Sequence, residues 1–131
     1  ADLADHVDFF SIGTNDLAQY VMAAERGNDR VADLGDYRQP AVLRAIRTTV
    51  EATEGTDVWV GMCGEMAGDP ELTELLVGLG LDELSMSAVT VPQVKRAVTE
   101  TTDAAAGELA ERALAASTKD ELERVLTETT Q

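Results

Sequence analysis

The chain has 131 residues, and 44% of them are hydrophobic, which is enough for one globular domain with a modest core. Its 25 acidic residues outnumber its 10 lysines and arginines, so the formal net charge is −15. This charge argues against nucleic acid and against an anionic membrane as partners, because both attract a positive surface. No apolar run is long enough for a signal peptide or a membrane span, so we expect no membrane insertion. We interpret residues 1–131 as a single domain that is a piece of a longer protein.

The acidic residues are spread along the whole sequence, and only two of the cations are lysines, Lys95 and Lys119. Such a surface suits concentrated salt, where a screening length of about 3 Å at 1 M removes self-repulsion. The single cysteine, Cys63, cannot form an internal disulfide, which is typical of a reducing compartment. We therefore expect a cytoplasmic protein of a halophilic cell.

Three short segments predict strands. Asp8–Gly13 and Val58–Met62 are apolar runs rich in aromatic and β-branched residues, and Leu84–Ser87 is a weaker third candidate. Runs without polar alternation are typical of parallel strands that are covered on both faces.

Helices are predicted between and after these strands from caps, prolines and apolar stripes. The predicted segments run from Gln39-Pro40 to Gly55, from Asp69-Pro70 to Gly80, from near Pro92 onward, from Asp103 to Ala116, and from Thr118 to about Thr129. The last of them opens with the capping box Thr118-x-x-Glu121. The predicted inward-facing residues are Leu43, Ile46, Val50, Leu72, Leu75, Leu76, Leu79, Val94, Ala97, Val98, Leu122, Val125 and Leu126.

The alternation of strands and helices predicts parallel βα units, an α/β fold. Two architectures remain open at this point, a doubly wound open sheet and a segment of a (β/α)₈ barrel, because periodicity does not distinguish them. In both architectures the functional face lies at the carboxyl ends of the strands.

Polar residues gather at these predicted strand ends. They are Thr14, Asn15, Asp16, Cys63, Glu65, Ser85 and Ser87. Each group also has a structural explanation: Asn15 and Asp16 as helix caps, the two serines as turn formers, and Cys63 as a small buried hydrophobe.

The surroundings of Cys63 favour a functional role. Gly61, Gly64 and Gly68 leave little side-chain bulk, so a ligand or another backbone segment can approach closely. A cysteine thiol is mostly protonated at neutral pH and can serve as a general acid. A Cys–His nucleophile is disfavoured because His6, the single histidine, precedes the first strand and reads as a surface or helix-end residue. The sequence holds no His/Cys cluster for zinc, whereas Asp16 suits magnesium.

Four segments, "DFFSIGTNDLAQY", "AERGND", "VWVGMCGEMAGDP" and "GLGLDELSMSA", together resemble the C-terminal phosphoenolpyruvate-binding domain of the Enzyme I family. Enzyme I is the phosphoenolpyruvate-protein phosphotransferase of the sugar phosphotransferase system. The resemblance runs from about Asp8 to the last helices. Pyruvate phosphate dikinase and phosphoenolpyruvate synthase share the strand-end motifs, but "RGND", at residues 26–29, is more similar to Enzyme I.

The resemblance implies a partial (β/α)₈ barrel of the TIM type, namely its last three βα units plus C-terminal helices. It implies that Asp16 ligates Mg²⁺, that Asn15 holds the phosphate, and that Arg26 reaches the phosphate or carboxylate. Cys63 would protonate C3 of enolpyruvate beside its glycines, while Gly64 and Glu65 shape the loop.

The resemblance also implies partners. The phosphoryl group would pass to a histidine on another domain of the same parent protein and then to a phosphocarrier protein, with homodimerisation through the C-terminal region. The family's upstream arginines and second acidic ligand are absent from this sequence. We therefore expect the isolated chain to be inert and to self-associate, since Phe10, Ile12, Val60 and Met86 would face the missing half of the barrel core.

Overall fold

The computed structural model describes residues 2–25 and 27–129, without the side chain of Thr129. Its sheet contains three strands, β1 Phe9–Gly13, β2 Trp59–Cys63 and β3 Glu83–Ser85. They are all parallel and lie in the order β1-β2-β3. This confirms the predicted parallel α/β organisation, while closure into a barrel and the single-domain assignment stay predictions.

Each strand is followed by helical structure. The α-helices are α1 Thr14–Met22, α2 Pro40–Glu51, α3 Thr73–Gly78, α4 Val91–Glu100, α5 Asp103–Ala115 and α6 Lys119–Thr129. Short 3₁₀ turns occupy Ala4–His6, Ala32–Gly35 and Met66–Gly68. His6 is exposed at the end of the first of these turns, as expected.

Helix ends follow the predicted signals at most positions. Pro40 lies in the first turn of α2, and Gly80, just beyond α3, has the left-handed φ of +91° that favours glycine. The predicted start of α3 at Asp69-Pro70 is wrong, because residues 70–72 form a turn in which Asp69 Oδ1 accepts a hydrogen bond from Glu71 N at 3.0 Å. Asp69 Oδ1 thus stabilises that turn, and the helix begins at Thr73.

The predicted capping box before α6 is present in a shifted form. Thr118 Oγ1 accepts a hydrogen bond from Glu121 N at 3.2 Å, as the motif requires. Glu121 Oε2 accepts in return from Ser117 N at 2.7 Å, one residue earlier than the usual partner.

The core lies between one face of the sheet and the helices. Residues Val42, Leu43 and Ile46 of α2 and Leu75 and Leu76 of α3 are at most 1% exposed. Other core members include Ile12, Val50, Val60, Met62, Leu72, Leu79, Leu109, Ala113 and Leu122. The apolar stripes predicted for α2 and for the segment around α3 are therefore confirmed.

The two faces of the sheet are reversed relative to the sequence prediction. Ile12 and Val60 are buried in the helix-facing core, so the prediction that they face a missing barrel interior is wrong. Phe10 also packs against that core. The opposite face instead exposes Phe9 and Trp59, whose rings stack at a centroid distance of 4.6 Å. Because strand side chains alternate, an error of one position exchanges the faces.

Helix α4 carries a second exposed apolar surface. Val94 is buried, as predicted, but Val98 is 45% exposed, so its predicted inward orientation is wrong. Val89, which precedes the helix, is 82% exposed, and Val91 is also exposed.

The C-terminal helices are fixed firmly to the rest of the fold. Helices α3 and α5 cross so closely at Gly78 that a Cβ there would lie 1.9 Å from the carbonyl oxygen of Ala106. Arg44 of α2 donates to the carbonyl oxygens of Leu114 and Ala116 at the end of α5, at 3.2 and 2.6 Å. These donors satisfy carbonyls that a helix end leaves without intrahelical partners.

Candidate active site at the carboxyl edge of the sheet

The strand register brings the predicted polar groups to one edge. Cys63, the last residue of β2, is the Cα partner of Gly13 on one side and of Ser85 on the other. Gly13 leads directly into Thr14, the first residue of α1. Cys63 is therefore the central residue of the carboxyl edge.

The Cys63 thiol is exposed, so the structure does not support its interpretation as a small buried hydrophobe. Strand alternation directs its side chain to the same face as Trp59, away from the helix-facing core. Its backbone carbonyl accepts a hydrogen bond from Thr14 Oγ1 at 3.4 Å, and Thr14 is fully buried. This contact joins the end of β2 to the start of α1.

The glycines around Cys63 make room for the protein itself. A Cβ on Gly64 would lie 2.7 Å from Thr14 Oγ1, and Gly64 also has a φ of +107°. A Cβ on Gly68 would lie 3.3 Å from the Met86 Cβ, and one on Gly61 would lie 3.0 Å from the Trp59 ring. The sequence analysis left room for a ligand or for another backbone segment, but the nearest atoms at these glycines belong to side chains of the protein itself.

Asn15 and Asp16 lie in the first turn of α1, one and two residues after its first residue, so the interpretation as caps is wrong. The N-cap position is Gly13, which makes no side-chain capping bond. Asn15 is half-buried and Asp16 is exposed. A Cβ on Gly13 would lie 4.0 Å from Asp16 Oδ2, so this carboxylate turns back toward the strand end. Uncapped N–H groups and a positive helix end favour an anionic ligand here.

A groove of about 610 Å³ opens beside this edge. Its lining residues are Asn15, Gly64, Glu65, Gly68, Ser85, Met86, Ser87 and Thr90. Ser85 donates to Glu83 Oε1 at 2.9 Å, and the carbonyl oxygen of Ser87 accepts from Thr90 N at 3.0 Å. The turn-former interpretation therefore fits Ser87 but not Ser85, which ends β3. Cys63 and Asp16 are not among the lining residues of this groove, although both lie at the same edge.

A second groove, of about 400 Å³, shares Asn15 and Glu65 with the first. Its other lining residues are Gln19, Ala32, Gly35, Asp36, Tyr37, Arg38 and Glu123. The sequence analysis missed Asp36 and Arg38. One signal in the sequence could have identified Arg38. Cations are scarce in this chain, so an arginine two residues before Pro40 is a candidate for a specific ion pair.

Charged groups in this second groove hold one another in their ionised forms. Burial alone would raise the pKa of Asp36, but hydrogen bonds from Lys119 Nζ and from Arg38 N outweigh it and lower that pKa. The hydrogen bond to Asp36 raises the pKa of Lys119. For Arg38, burial is outweighed by the bond to Asp69, so its pKa is raised. Burial, followed by the charge of Asp69, raises the pKa of Tyr37.

Arg26, predicted to bind phosphate or carboxylate, lies outside the described residues. In the described part, no group of three or more His, Cys, Asp and Glu side chains could hold a metal ion. Mg²⁺ is commonly held by one or two carboxylates together with substrate oxygens and waters, and the exposed Asp16 carboxylate fits that requirement. None of the helices in residues 2–25 and 27–129 combines the length and apolarity needed to cross a membrane.

The fold and the edge define an α/β protein with a parallel sheet and polar side chains where its strands end, the place where such sheets bind ligands. Over residues 1–103 the chain matches a family described as PEP-utilising enzyme, PEP-binding domain. The chain belongs to this family, and the resemblance seen in the sequence is confirmed.

Named relatives agree with this assignment. A phosphoenolpyruvate-protein phosphotransferase of Haloferax volcanii is 79% identical over 124 residues, which cover 95% of this chain and 22% of the relative. One of Haemophilus influenzae is 45% identical over 126 residues, 96% of this chain and 22% of the relative. A multiphosphoryl transfer protein of Xanthomonas campestris is 48% identical over 120 residues, which cover 92% of this chain and 14% of the relative. The chain spans about a fifth of the length of the two phosphotransferases.

Proposed function

We propose that the chain is the C-terminal part of the phosphoenolpyruvate-binding barrel of a phosphoenolpyruvate-protein phosphotransferase. The observation that carries the proposal is the 79% identity, over 95% of the chain, to a protein of that name. The gathering of Gly13, Cys63 and Ser85 at one register position supports a site at this edge. The names of the relatives favour this function over pyruvate phosphate dikinase or phosphoenolpyruvate synthase, which share the strand-end motifs.

In the proposed site, Asn15 and Arg26 bind the substrate phosphate, with Arg26 also able to reach the carboxylate. A guanidinium group is permanently charged and donates in a planar fork, which suits both groups. Asp16 holds Mg²⁺, and when bound this ion supplies positive charge that offsets charge on the phosphoryl group. The uncapped first turn of α1 adds N–H donors beside Asn15.

The phosphoryl group passes to a histidine on another domain of the parent protein, breaking the P–O bond of phosphoenolpyruvate and forming a P–N bond. The enolate of pyruvate remains, and its C3 takes the proton of the Cys63 thiol to give pyruvate. Because Cys63 is exposed, the resulting thiolate can regain its proton from water. The phosphohistidine then serves a separate phosphocarrier protein.

The test uses the full-length parent protein. Cys63→Ala removes the acidic proton, so we expect loss of pyruvate formation in a coupled assay, with the fold intact by circular dichroism. Cys63→Ser keeps the size of the side chain but replaces the thiol by a much weaker acid, so it should also be impaired. Normal pyruvate formation by either variant would exclude Cys63 as the proton donor.

A second candidate role is association. Val89, Val91 and Val98 form an exposed apolar surface at and before α4, and the Phe9–Trp59 stack is exposed on the sheet. Burying exposed apolar surface stabilises an association by about 25 cal/mol for each Å² removed from water. We expect the isolated chain to form homo-oligomers and to produce no pyruvate from phosphoenolpyruvate. Sedimentation and a coupled assay on one sample test both expectations, and a stable monomer or measurable turnover would contradict the corresponding one.

A further inference from the structure

Residues 27–39, which lead into α2, border the second groove. The first half of this segment is held by local hydrogen bonds, such as Val31 N to Asn28 O at 3.0 Å and Leu34 N to Val31 O at 2.9 Å. Leu34 is 50% exposed. Such short-range bonds fix a turn but not its place on the fold, which depends on contacts with distant residues. The turn Ala32–Gly35 makes some of these contacts with α1.

Three consecutive residues at the end of this segment connect it to distant parts of the chain. Tyr37 packs against the hydrophobic core. Arg38 Nη2 lies 2.8 Å from Asp69 Oδ2, and Asp69 directly follows the 3₁₀ turn Met66–Gly68. Asp36 Oδ2 lies 2.6 Å from the Nζ of Lys119, the first residue of α6. The segment is thus held from two sides.

Asp36 uses both carboxylate oxygens in this arrangement. Oδ2 accepts from Lys119 Nζ, and Oδ1 accepts from the backbone N–H of Arg38 at 2.8 Å. The Asp36 and Lys119 side chains are 29% and 34% exposed, so water screens their contact only in part.

The position of Lys119 is unfavourable for the helix that contains it. A cation in the first turn opposes the helix dipole, whose positive end lies there. Lysines are also scarce, with two in the whole chain. Two contacts offset this local cost: one with Asp36 Oδ2 at 2.6 Å and a longer one with Glu123 Oε1 of α6 at 3.8 Å. The shorter contact leads out of α6 to the segment, so we explain Lys119 mainly by the segment that it holds.

We propose that Lys119 is a positioning residue for the substrate site: through Asp36 it holds segment 27–39 beside the groove that Asn15 and Glu65 line. This inference rests on the proposed function, because segment 27–39 directly follows Arg26, the predicted phosphate ligand. Asp36 and Arg38 line that groove themselves. The position of the segment therefore shapes the groove beside Asn15, and Lys119 acts on substrate use without contacting substrate.

The experiment compares variants of the full-length parent protein. Lys119→Met keeps the aliphatic stem and removes the charge, and Lys119→Arg restores a donor. Arg112→Met is the matched control, because the Arg112–Glu128 pair also involves α6 but is not part of the groove. We expect Lys119→Met to raise KM for phosphoenolpyruvate roughly two- to fivefold, the size expected for a partly exposed ion pair, with kcat nearly unchanged. Lys119→Arg should bring KM back close to the wild-type value, and KM of the Arg112→Met control should equal that of the wild type.

A second measurement does not depend on turnover. Amide hydrogen exchange of residues 28–38 should accelerate in Lys119→Met and in Asp36→Asn, and stay unchanged in Arg112→Met. Unchanged KM and exchange in Lys119→Met would overturn the proposal, while loss of pyruvate formation in Cys63→Ala would still support the proposed function. If the wild-type parent released no pyruvate from phosphoenolpyruvate, the proposed function would fail, and the positioning role with it.

Discussion

The close crossing of α3 and α5 at Gly78 gives a sharp stability prediction. In Gly78→Ala the new Cβ would lie 1.9 Å from the Ala106 carbonyl oxygen and 2.5 Å from its carbon. That is about 1.5 Å short of ordinary van der Waals contact, and the obstacle is backbone, so the two helices have to separate. Overpacking of this kind costs about 3 kcal/mol, and the higher helix propensity of alanine returns up to about 1 kcal/mol. The expected net loss is about 2 kcal/mol.

Gly107 provides the matched control, since it lies inside α5 and a Cβ there would have no neighbour within 4 Å. Gly107→Ala should therefore stabilise the chain, by about 0.5 to 1 kcal/mol. Thermal unfolding in molar salt, followed by circular dichroism, should show Gly78→Ala melting roughly 6–10 °C below the parent chain and Gly107→Ala slightly above it. Equal melting temperatures for Gly78→Ala and the parent chain would show that the helices do not cross as described.

Three further predictions concern charge. The lowered pKa of Asp36 stabilises the fold above the ordinary pKa of 3.8, and this contribution is lost as the pH falls through the lower folded-state pKa. In urea titrations Asp36→Asn should therefore be destabilising at pH 7, and the loss should shrink as the pH is lowered below 3.8. Withdrawal of salt should lower the melting temperature steeply, because the screening length grows to about 30 Å at 0.01 M and the acidic groups then repel one another. A melting temperature that does not change with salt concentration would contradict a halophilic protein. In the full-length parent, Asp16→Asn should weaken Mg²⁺ dependence and activity together, and Arg26→Lys should impair substrate use despite its charge; full activity of both variants would exclude these roles.

The sequence predicted those parts of the fold that depend on local pattern. The stripe Leu43, Ile46 and Val50 defines the buried face of α2 because its spacing matches the helical period. The parallel direction of the strands and the gathering of Asn15, Cys63 and Ser85 at one edge were also predicted, since parallel strands end on the same side.

The parts that failed depend on contacts between distant segments. Which face of β1 meets the helices is set by packing, and a run such as "DFFSIG" is apolar on both faces, so Phe10 was assigned to the wrong face. Gly64 is glycine because of Thr14, about fifty positions earlier in the chain, a contact that no local pattern reveals. The Asp36–Lys119 pair joins residues separated by 83 positions and was missed for the same reason.

The exposed face of the sheet combines two chemically different ends. The Phe9–Trp59 stack occupies the amino ends of β1 and β2, and Cys63 lies on the same face at the carboxyl end of β2. Cys63 lies four positions after Trp59 along β2, a distance of about 13 Å at the rise of a parallel strand. A polypeptide that covers the aromatic pair therefore needs to extend only that far along β2 to cover the thiol as well. Shielding this face and controlling the access of water to Cys63 thus become properties of the same contact.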